Sequence, residues 1–355
     1  MGHGAGSGRR DCPAPGRGSD VKTGDRRERE VAVVGAGPCG LAVAAAAASR
    51  GVGTVLFDRG PLCSSLVDYP PYMTFFSTPE KLEIEGLPFV TAGTNPTRKE
   101  ALAYYRGVAR YFGMDVRAYH EVERIVKREP GFELRVRRSG RAPESWRARA
   151  VVIATGGFDE PNYLGIPGED LGKVSHAYRE AHPYWSQDVV VVGGGNSAVE
   201  AALELFRVGA RVTLIHMKAD FDSGVKAWVL PDIRNRVAAG EIAVRWNHRL
   251  VEIRPRSILI RSEETGRIEQ LANDFVLALT GWRPRPELLR SVGVAVDADT
   301  GVPAHDGATM ETPIPGLFIA GVLAAGIDAN RIFIENGRLH GEKILERYLA
   351  GGDAG

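Results

Sequence analysis

Two short stretches of this chain hold residue types at spacings that can do chemistry. Val31 to Leu41 reads VAVVGAGPCGL, and Val189 to Val199 reads VVVVGGGNSAV. In each, an apolar strand runs into a glycine-rich turn and then into a helix, whose N-terminus offers free N–H groups and a positive dipole end to a pyrophosphate. Gly35, Gly37, Pro38 and Gly40 line the first turn; Gly193, Gly195, Asn196, Ser197 and Ala198 line the second. The glycines permit a tight turn, close backbone approach to phosphate and close helix packing. One such fingerprint is a weak signal, but residues 31–60 and 189–218 match in register, with Gly35 and Gly193 opening the turns at one offset. Two in-register copies are strong evidence for two dinucleotide sites.

The ends of the second strands speak to which nucleotides. Asp58 can accept hydrogen bonds from both ribose hydroxyls of an unphosphorylated adenosine, which fits FAD or NAD. The second copy has His216-Met217-Lys218 in its place. That change removes repulsion against a 2′-phosphate and supplies a cation, which favours NADPH over NADH; the bland reading is a solvated lysine at a strand end.

The first loop also holds a thiol, Cys39. At a helix N-terminus the dipole stabilises a thiolate and lowers the thiol pKa. A bound pyrophosphate would oppose that, because its negative charge raises the pKa. Two readings stay open: a redox-active cysteine, or a small residue packed under the cofactor. Cys63 follows the second strand as a lone surface-loop thiol, and Cys12 lies in the leader. His176 and His182, interleaved with Tyr178 and Tyr184, can bind a thiol substrate, donate protons or pack between domains. No metal-ligand spacing occurs among the His and Cys residues.

These loops need two α/β units to hold them. Between the repeats the pattern gives a Pro- and aromatic-rich loop at 68–82, a helix near 98–113 and strands near 114–118, 121–127, 132–137 and 146–154. The last strand ends in ATGGF, which adds Thr155 and Gly156 to the cofactor-binding candidates. After the second repeat come a helix near 227–239, short strands to about 279, and TGWRP at 280–284, echoing ATGGF. GLFIAGV at 316–322 reads as a final strand and 330–349 as a long helix. The expected architecture is α/β, with two nested Rossmann-like dinucleotide-binding domains. Residues 29–157 and 283–355 form the first, interrupted by the second at 158–282; residues 1–28 form a disordered leader.

Composition narrows the function classes. Lys+Arg 45 against Asp+Glu 44 leaves a net charge of +1, so no electrostatic footprint for nucleic acid is present. Three cysteines without CxxC spacing argue against a disulfide scaffold and for a reducing compartment. The longest apolar run, Leu41 to Ser49, falls far short of the roughly 20 residues of a membrane span. The expected address is the cytoplasm.

Taken with GPCGL (37–41), MTFFST (73–78), KLEI (81–84), SHAYREAHPY (175–184), GGGNSAVEAALEL (193–205), VKAWVLP (225–231), FIAGVLAAG and IFIENGRLHG (318–341), the chain resembles the two-dinucleotide-binding flavoproteins of thioredoxin reductase type. Within them it is most similar to the YpdA-type bacillithiol disulfide reductases. The resemblance spans Val31 to about Tyr348. It implies FAD on the first repeat, NADPH on the second, reduction of bacillithiol disulfide, a homo-oligomer, and a rotation of the NADPH domain that stacks nicotinamide on flavin.

Two departures from thioredoxin reductase matter. No cysteine lies beyond Cys63, so the dithiol after Asn196 is missing, and the usual Gly-Asp pair near FAD is Gly321-Val322. The resemblance makes Cys39 the candidate catalytic thiol. Arg331, Glu335 and Asn336 are candidates for flavin-side contacts, with helix capping and surface charge as the plain alternative. Competing functions are a ferredoxin–NADP reductase-like electron-transfer flavoprotein, a flavin monooxygenase-like enzyme, and a non-enzymatic redox sensor.

Overall fold

The computed structural model describes residues 27–158 and 160–352; the expected leader, with Cys12, lies outside them apart from its last two residues. Glu28, the end of that leader, is already the first residue of the strand Glu28–Val34. Val31 to Val34 are buried, as a central strand covered on both faces requires. This strand pairs in parallel with Thr54–Asp58 on one side and with Glu144–Ile153 on the other; Val116–Ala118 forms an edge beyond Thr54–Asp58.

Glu144–Ile153 is long enough to have two partners along its other side. Its first half pairs antiparallel with Phe132–Arg138, which continues to His120–Lys127, and its second half pairs in parallel with Leu317–Ile319. A strand from near the C-terminus therefore completes the sheet that the first fingerprint begins. The second sheet is wholly parallel, in the order Ala243–Trp246, Arg211–His216, Asp188–Val192, Phe275–Ala278, Val174–Ser175. An antiparallel meander over 248–272 packs on one face of it through Leu250, Ile253, Ile258 and Ile260. The helix Asn196–Arg207 covers the other through Val199, Ala202 and Leu203.

The chain crosses between the units twice, and the crossings pair with each other: Trp282 faces Pro161 and Arg283 faces Glu160 in a two-stranded antiparallel ribbon. Asn162 reinforces it by donating its N–H to the Gly281 carbonyl at 2.9 Å and accepting the Thr280 hydroxyl at 2.6 Å.

The helix Pro38–Ser49 is apolar all round over Gly40 to Ala47, the residues that are buried on every side between the first sheet and the C-terminal helix. A Cβ on Gly341 would stand 2.8 Å from the Ala42 carbonyl, so these two helices cross at a separation only glycine allows. Arg98–Tyr111 starts at a capping box, in which Thr97 Oγ1 accepts from Glu100 N and Glu100 Oε2 accepts from Thr97 N.

Three expected elements are shorter than the pattern suggested. The long helix over 330–349 is broken into Ile334–Gly337 and His340–Gly352. Asp328 and Asn336 turn their side chains onto neighbouring backbone N–H and C=O groups, an alternative to the helical ladder. The strand over 316–322 narrows to Leu317–Ile319, because Gly321 takes φ +73° and leaves the extended region. The helix near 227–239 is Leu230–Ala238, with Pro231 in its first turn.

Candidate active site

The C-terminal ends of the first sheet's central strands converge on the first glycine loop, where open α/β sheets bind ligands. Gly35 has φ +109°, and a Cβ there would lie 2.2 Å from the Ala154 carbonyl oxygen. A Cβ on Gly40 would lie 2.0 Å from the Gly35 oxygen. These two glycines serve the close packing of loop, helix and strand. Gly37 differs: nothing comes within 4 Å of its Cβ position, and no side chain caps the helix that Pro38 begins. Open space above an uncapped helix start is the cradle a pyrophosphate fits.

Asp58 stands at the strand end as expected, but it is buried and already engaged. Its Oδ2 accepts from Ala36 N and its Oδ1 from Gly60 N, both at 2.8 Å. The carboxylate ties the glycine loop to the following turn, and its remaining lone pairs leave room for a ribose hydroxyl.

Thr155 and Gly156 lie where the crossing begins; Gly156 has φ +88° with open space at its Cβ position. A Cβ on Gly157 would meet Val322 Cγ1 at 3.3 Å, so the ATGG and Gly321-Val322 segments abut. Gly321 N donates to His340 Nδ1 at 3.2 Å, and burial pushes the His340 imidazole down to about 4, keeping it neutral.

Cys39 lies among these segments. Its Sγ is 3.0 Å from the Cβ position of Gly321 and 2.9 Å from that of Gly337, so the sulfur occupies the space two glycines leave free. Burial pushes its thiol up to about 12, the reverse of the dipole-lowered value expected from its place on the helix. Desolvation is the cause, and it favours the neutral thiol. Cys63 is also unlike its expectation. It is buried, not a surface-loop thiol, because its left-handed backbone (φ +55°) and the bond from its N–H to the Ala36 carbonyl fold it under the loop. Burial, and then Asp58, raise its pKa, and both thiols are free.

Glu335 accepts the Ser77 hydroxyl and pairs with Lys81 at 3.6 Å, so it ties the C-terminal segment to the MTFFST loop. Asn336 uses its amide on Phe333 N and Arg331 O, which is the capping alternative, and Arg331 is exposed.

The second loop repeats the backbone of the first with different neighbours. Gly193 has φ +134°, and a Cβ there would lie 2.4 Å from the Leu279 carbonyl. Ala198 is buried against it, while Ser197 is exposed on the first turn. A Cβ on Gly194 would lie 2.4 Å from His216 Nε2. His216 is therefore the floor of the loop; burial lowers its pKa, so it is a neutral ring and adds no cation at the mouth. Its Nε2 has no hydrogen-bond partner and lies 3.7 Å from Asp222 Oδ1. Lys218 is already paired, its Nζ 2.6 Å from the same oxygen. Asn196 donates to the Gly224 carbonyl and accepts from Lys226 N, both at 2.9 Å, so it moors the 222–228 loop and faces away from a purely phosphate role.

Sequence reasoning passed over two residues here. Asp222 was legible only as an acid four residues beyond Lys218. Glu200, in the second turn of the helix, has a buried Oε1 without a partner; burial, and then Glu204, push its carboxyl up to about 6.

The two units meet at Lys226, whose Nζ lies 5.6, 5.9 and 5.0 Å from the ring centroids of Phe76, Trp228 and Phe333. A groove of about 620 Å³ opens beside it, lined by Thr74, Phe75, Phe76, Thr94, Asn95 and Trp228. His176 pairs with Glu169 at 3.5 Å and Tyr178 with Glu204 at 2.5 Å; His182 is exposed in the turn His182–Tyr184. Among the described residues no hydrogen bond or ion pair joins either histidine to the first loop.

The described residues contain no group of three or more His, Cys, Asp or Glu able to hold a metal ion, and no helix long and apolar enough to cross a membrane. Two uncapped helix starts behind glycine loops, on sheets linked by a paired crossing, offer room for two pyrophosphates.

The family model for pyridine nucleotide-disulphide oxidoreductases matches residues 32–321. Bacilliredoxin reductase Bdr of Bacillus subtilis (strain 168) is 41% identical over 318 residues, covering 89% of this chain and 96% of that protein. Bacillithiol disulfide reductase Bdr (YpdA) from Bacillus cereus superposes with a TM-score of 0.88 at 40% identity, over 91% of this chain and 99% of that one. Its counterpart from Staphylococcus aureus gives 0.85 at 37%, over 92% and 99%.

Proposed function

Because the chain belongs to the pyridine nucleotide-disulphide oxidoreductase family, we propose that it carries hydride from NADPH to FAD and reduces the disulfide of a low-molecular-weight thiol, bacillithiol disulfide being the substrate. One nicotinamide nucleotide and one proton are consumed for two thiols released. The observation that carries this reading is the pair of in-register glycine loops, each with an uncapped helix start, on a chain 41% identical to Bdr over most of its length. FAD, when bound, supplies a group that takes up a hydride and passes two electrons onward. The chain's own part is to hold and orient: Gly37 and the helix start at Pro38 for the pyrophosphate, Asp58 for the ribose, Thr155, Gly156 and Gly321 beside the ring. Gly195 and the helix start at Asn196 hold the nicotinamide nucleotide, with Lys218 as the phosphate cation. Arg331 is the remaining free-standing candidate on the flavin side, with Glu335 and Asn336 shaping its segment.

Residues 29–157 and 283–355 are read as the FAD-binding domain and 158–282 as the nicotinamide domain, turning about the ribbon at 160–161 and 282–283. The protein is read as a cytoplasmic homo-oligomer.

Cys39 is the proposed protein thiol of the reaction. A neutral, desolvated thiol must lose its proton before it can attack a disulfide, so the step would need a base or a change of solvation. Its fit between Gly321 and Gly337 favours a second reading, in which the sulfur only packs and the disulfide is reduced at the flavin.

The test is NADPH consumption with a panel of disulfides, ferredoxin and oxygen, beside Cys39→Ser and Cys39→Ala. Turnover that depends on bacillithiol disulfide and collapses in both variants while FAD stays bound supports the first reading. Turnover kept in both variants supports the second, and turnover only with ferredoxin, or only as oxygenation of a substrate, defeats the disulfide reductase.

A further inference from the structure

A carboxylate from the following loop, Asp222, stands at the mouth of the second glycine loop. Asp222 is fixed there by the backbone, its N–H donating to the Gly194 carbonyl at 3.0 Å. Its Oδ2 lies 3.6 Å from the Cβ position of Gly195, the residue just before the helix start. Its Oδ1 holds Lys218 at 2.6 Å and lies 3.7 Å from the buried, unpartnered Nε2 of His216.

The strand-end residues His216, Met217 and Lys218, taken with Asp222, thus present one carboxylate and one cation. His216 adds no charge, and Met217 adds none. A phosphate on the adenosine ribose would have to displace Asp222 from Lys218 and then sit beside the displaced carboxylate. A ribose carrying free hydroxyls meets no such cost, because a carboxylate in this place accepts from them, as the acid at the end of the strand does in NAD-binding folds. Like-charge juxtaposition within a binding site disfavours the ligand, whereas hydroxyl-to-carboxylate hydrogen bonds are among the stronger ones.

We infer that Asp222 sets the coenzyme selectivity of this protein, admitting NADH at the second loop at least on equal terms with NADPH. The inference rests on the second loop being the nicotinamide nucleotide site. Asp222 opposes the phosphate preference that Lys218 alone would give. The side chain is half exposed and moored through its backbone, so shortening or neutralising it leaves the loop's own hydrogen bond to Gly194 in place.

The experiment uses the FAD-loaded full chain and measures the dissociation constants of NADP⁺ and NAD⁺ by calorimetry, with kcat/KM for NADPH and NADH as a second readout. Wild-type constants for the two nucleotides are expected to lie within about tenfold of each other. Asp222→Asn and Asp222→Ser are expected to shift the ratio toward NADP⁺ by at least about tenfold, mostly by tightening NADP⁺. Lys218→Ala is expected to weaken NADP⁺ and leave NAD⁺ little changed. A wild type that binds NADP⁺ a hundredfold tighter than NAD⁺, or Asp222 variants with an unchanged ratio, would overturn the inference while leaving the nucleotide site standing. Binding of neither nucleotide to an FAD-loaded, folded wild type would overturn both.

Discussion

The two glycine loops have nearly the same backbone and opposite surroundings. In the first, the acid at the strand end is turned inward onto the Ala36 and Gly60 N–H groups, and the space over Gly37 is clear. In the second, a neutral imidazole lies under Gly194, and an acid from the next loop, Asp222, comes to the mouth. On the proposed function, the strand–turn–helix frame sets where a pyrophosphate would sit, and residues outside the frame decide what the rest of the nucleotide would meet. The helices differ in the same way: Gly40 to Ala47 of the first are buried on every side, while Asn196–Arg207 keeps a polar face outward.

That contrast can be broken most severely at Gly35. Alanine there combines φ +109° with a Cβ 2.2 Å from the Ala154 carbonyl, so Gly35→Ala is expected to cost more than about 3 kcal/mol and to abolish FAD retention. Gly37→Ala, with free space and an ordinary φ of −79°, should fold with an unchanged melting temperature without FAD and lose FAD affinity. Equal effects in the two variants would remove the distinction between packing and ligand-facing glycines.

In the second loop, Gly194→Ala drives a Cβ into the His216 ring. It is expected to weaken nicotinamide nucleotide binding by about a hundredfold with FAD content unchanged. Adding His216→Ala should restore a large part; no restoration would mean that the ring is not the floor of the loop.

Acid should affect the first unit through His340. Its folded pKa, about 4, lies below the ordinary 6.5, so the unfolded chain binds the proton first. The stabilisation from a neutral His340 is complete above about pH 6.5 and is lost progressively as pH falls toward 4, by about 3 kcal/mol. Denaturant titrations of His340→Gln across that window should show a flatter pH dependence. The smallest effect is expected at the crossing, where Arg283 and Arg285 pair with Glu160 at 3.3 and 2.9 Å on the surface. Glu160→Gln should change stability by less than about 1 kcal/mol.

Much of this organisation is legible in the sequence because glycine spacing and apolar strands report backbone needs directly. The repeats at 31–60 and 189–218 fold as the two strand–turn–helix–strand units, and the β-rich stretch at 114–154 yields its strands within a few residues. What sequence misses depends on approach in space. The need for glycine at 337 follows from its closeness to Cys39, a residue at the other end of the chain. The raised pKa of Cys39 follows from burial by Gly321 and Gly337, which no local pattern reports. The pairing of Lys218 with Asp222 reverses the simplest reading of His216-Met217-Lys218, because the acid arrives from a loop beyond the fingerprint.

The most direct test of the account is anaerobic reaction of the FAD-loaded protein with limiting NADPH and excess bacillithiol disulfide, following flavin absorbance and free thiol together. The account predicts flavin bleaching by NADPH, reoxidation by the disulfide, and two thiols formed per NADPH consumed. Flavin that is reduced and then stays reduced, with no thiol released, would contradict it.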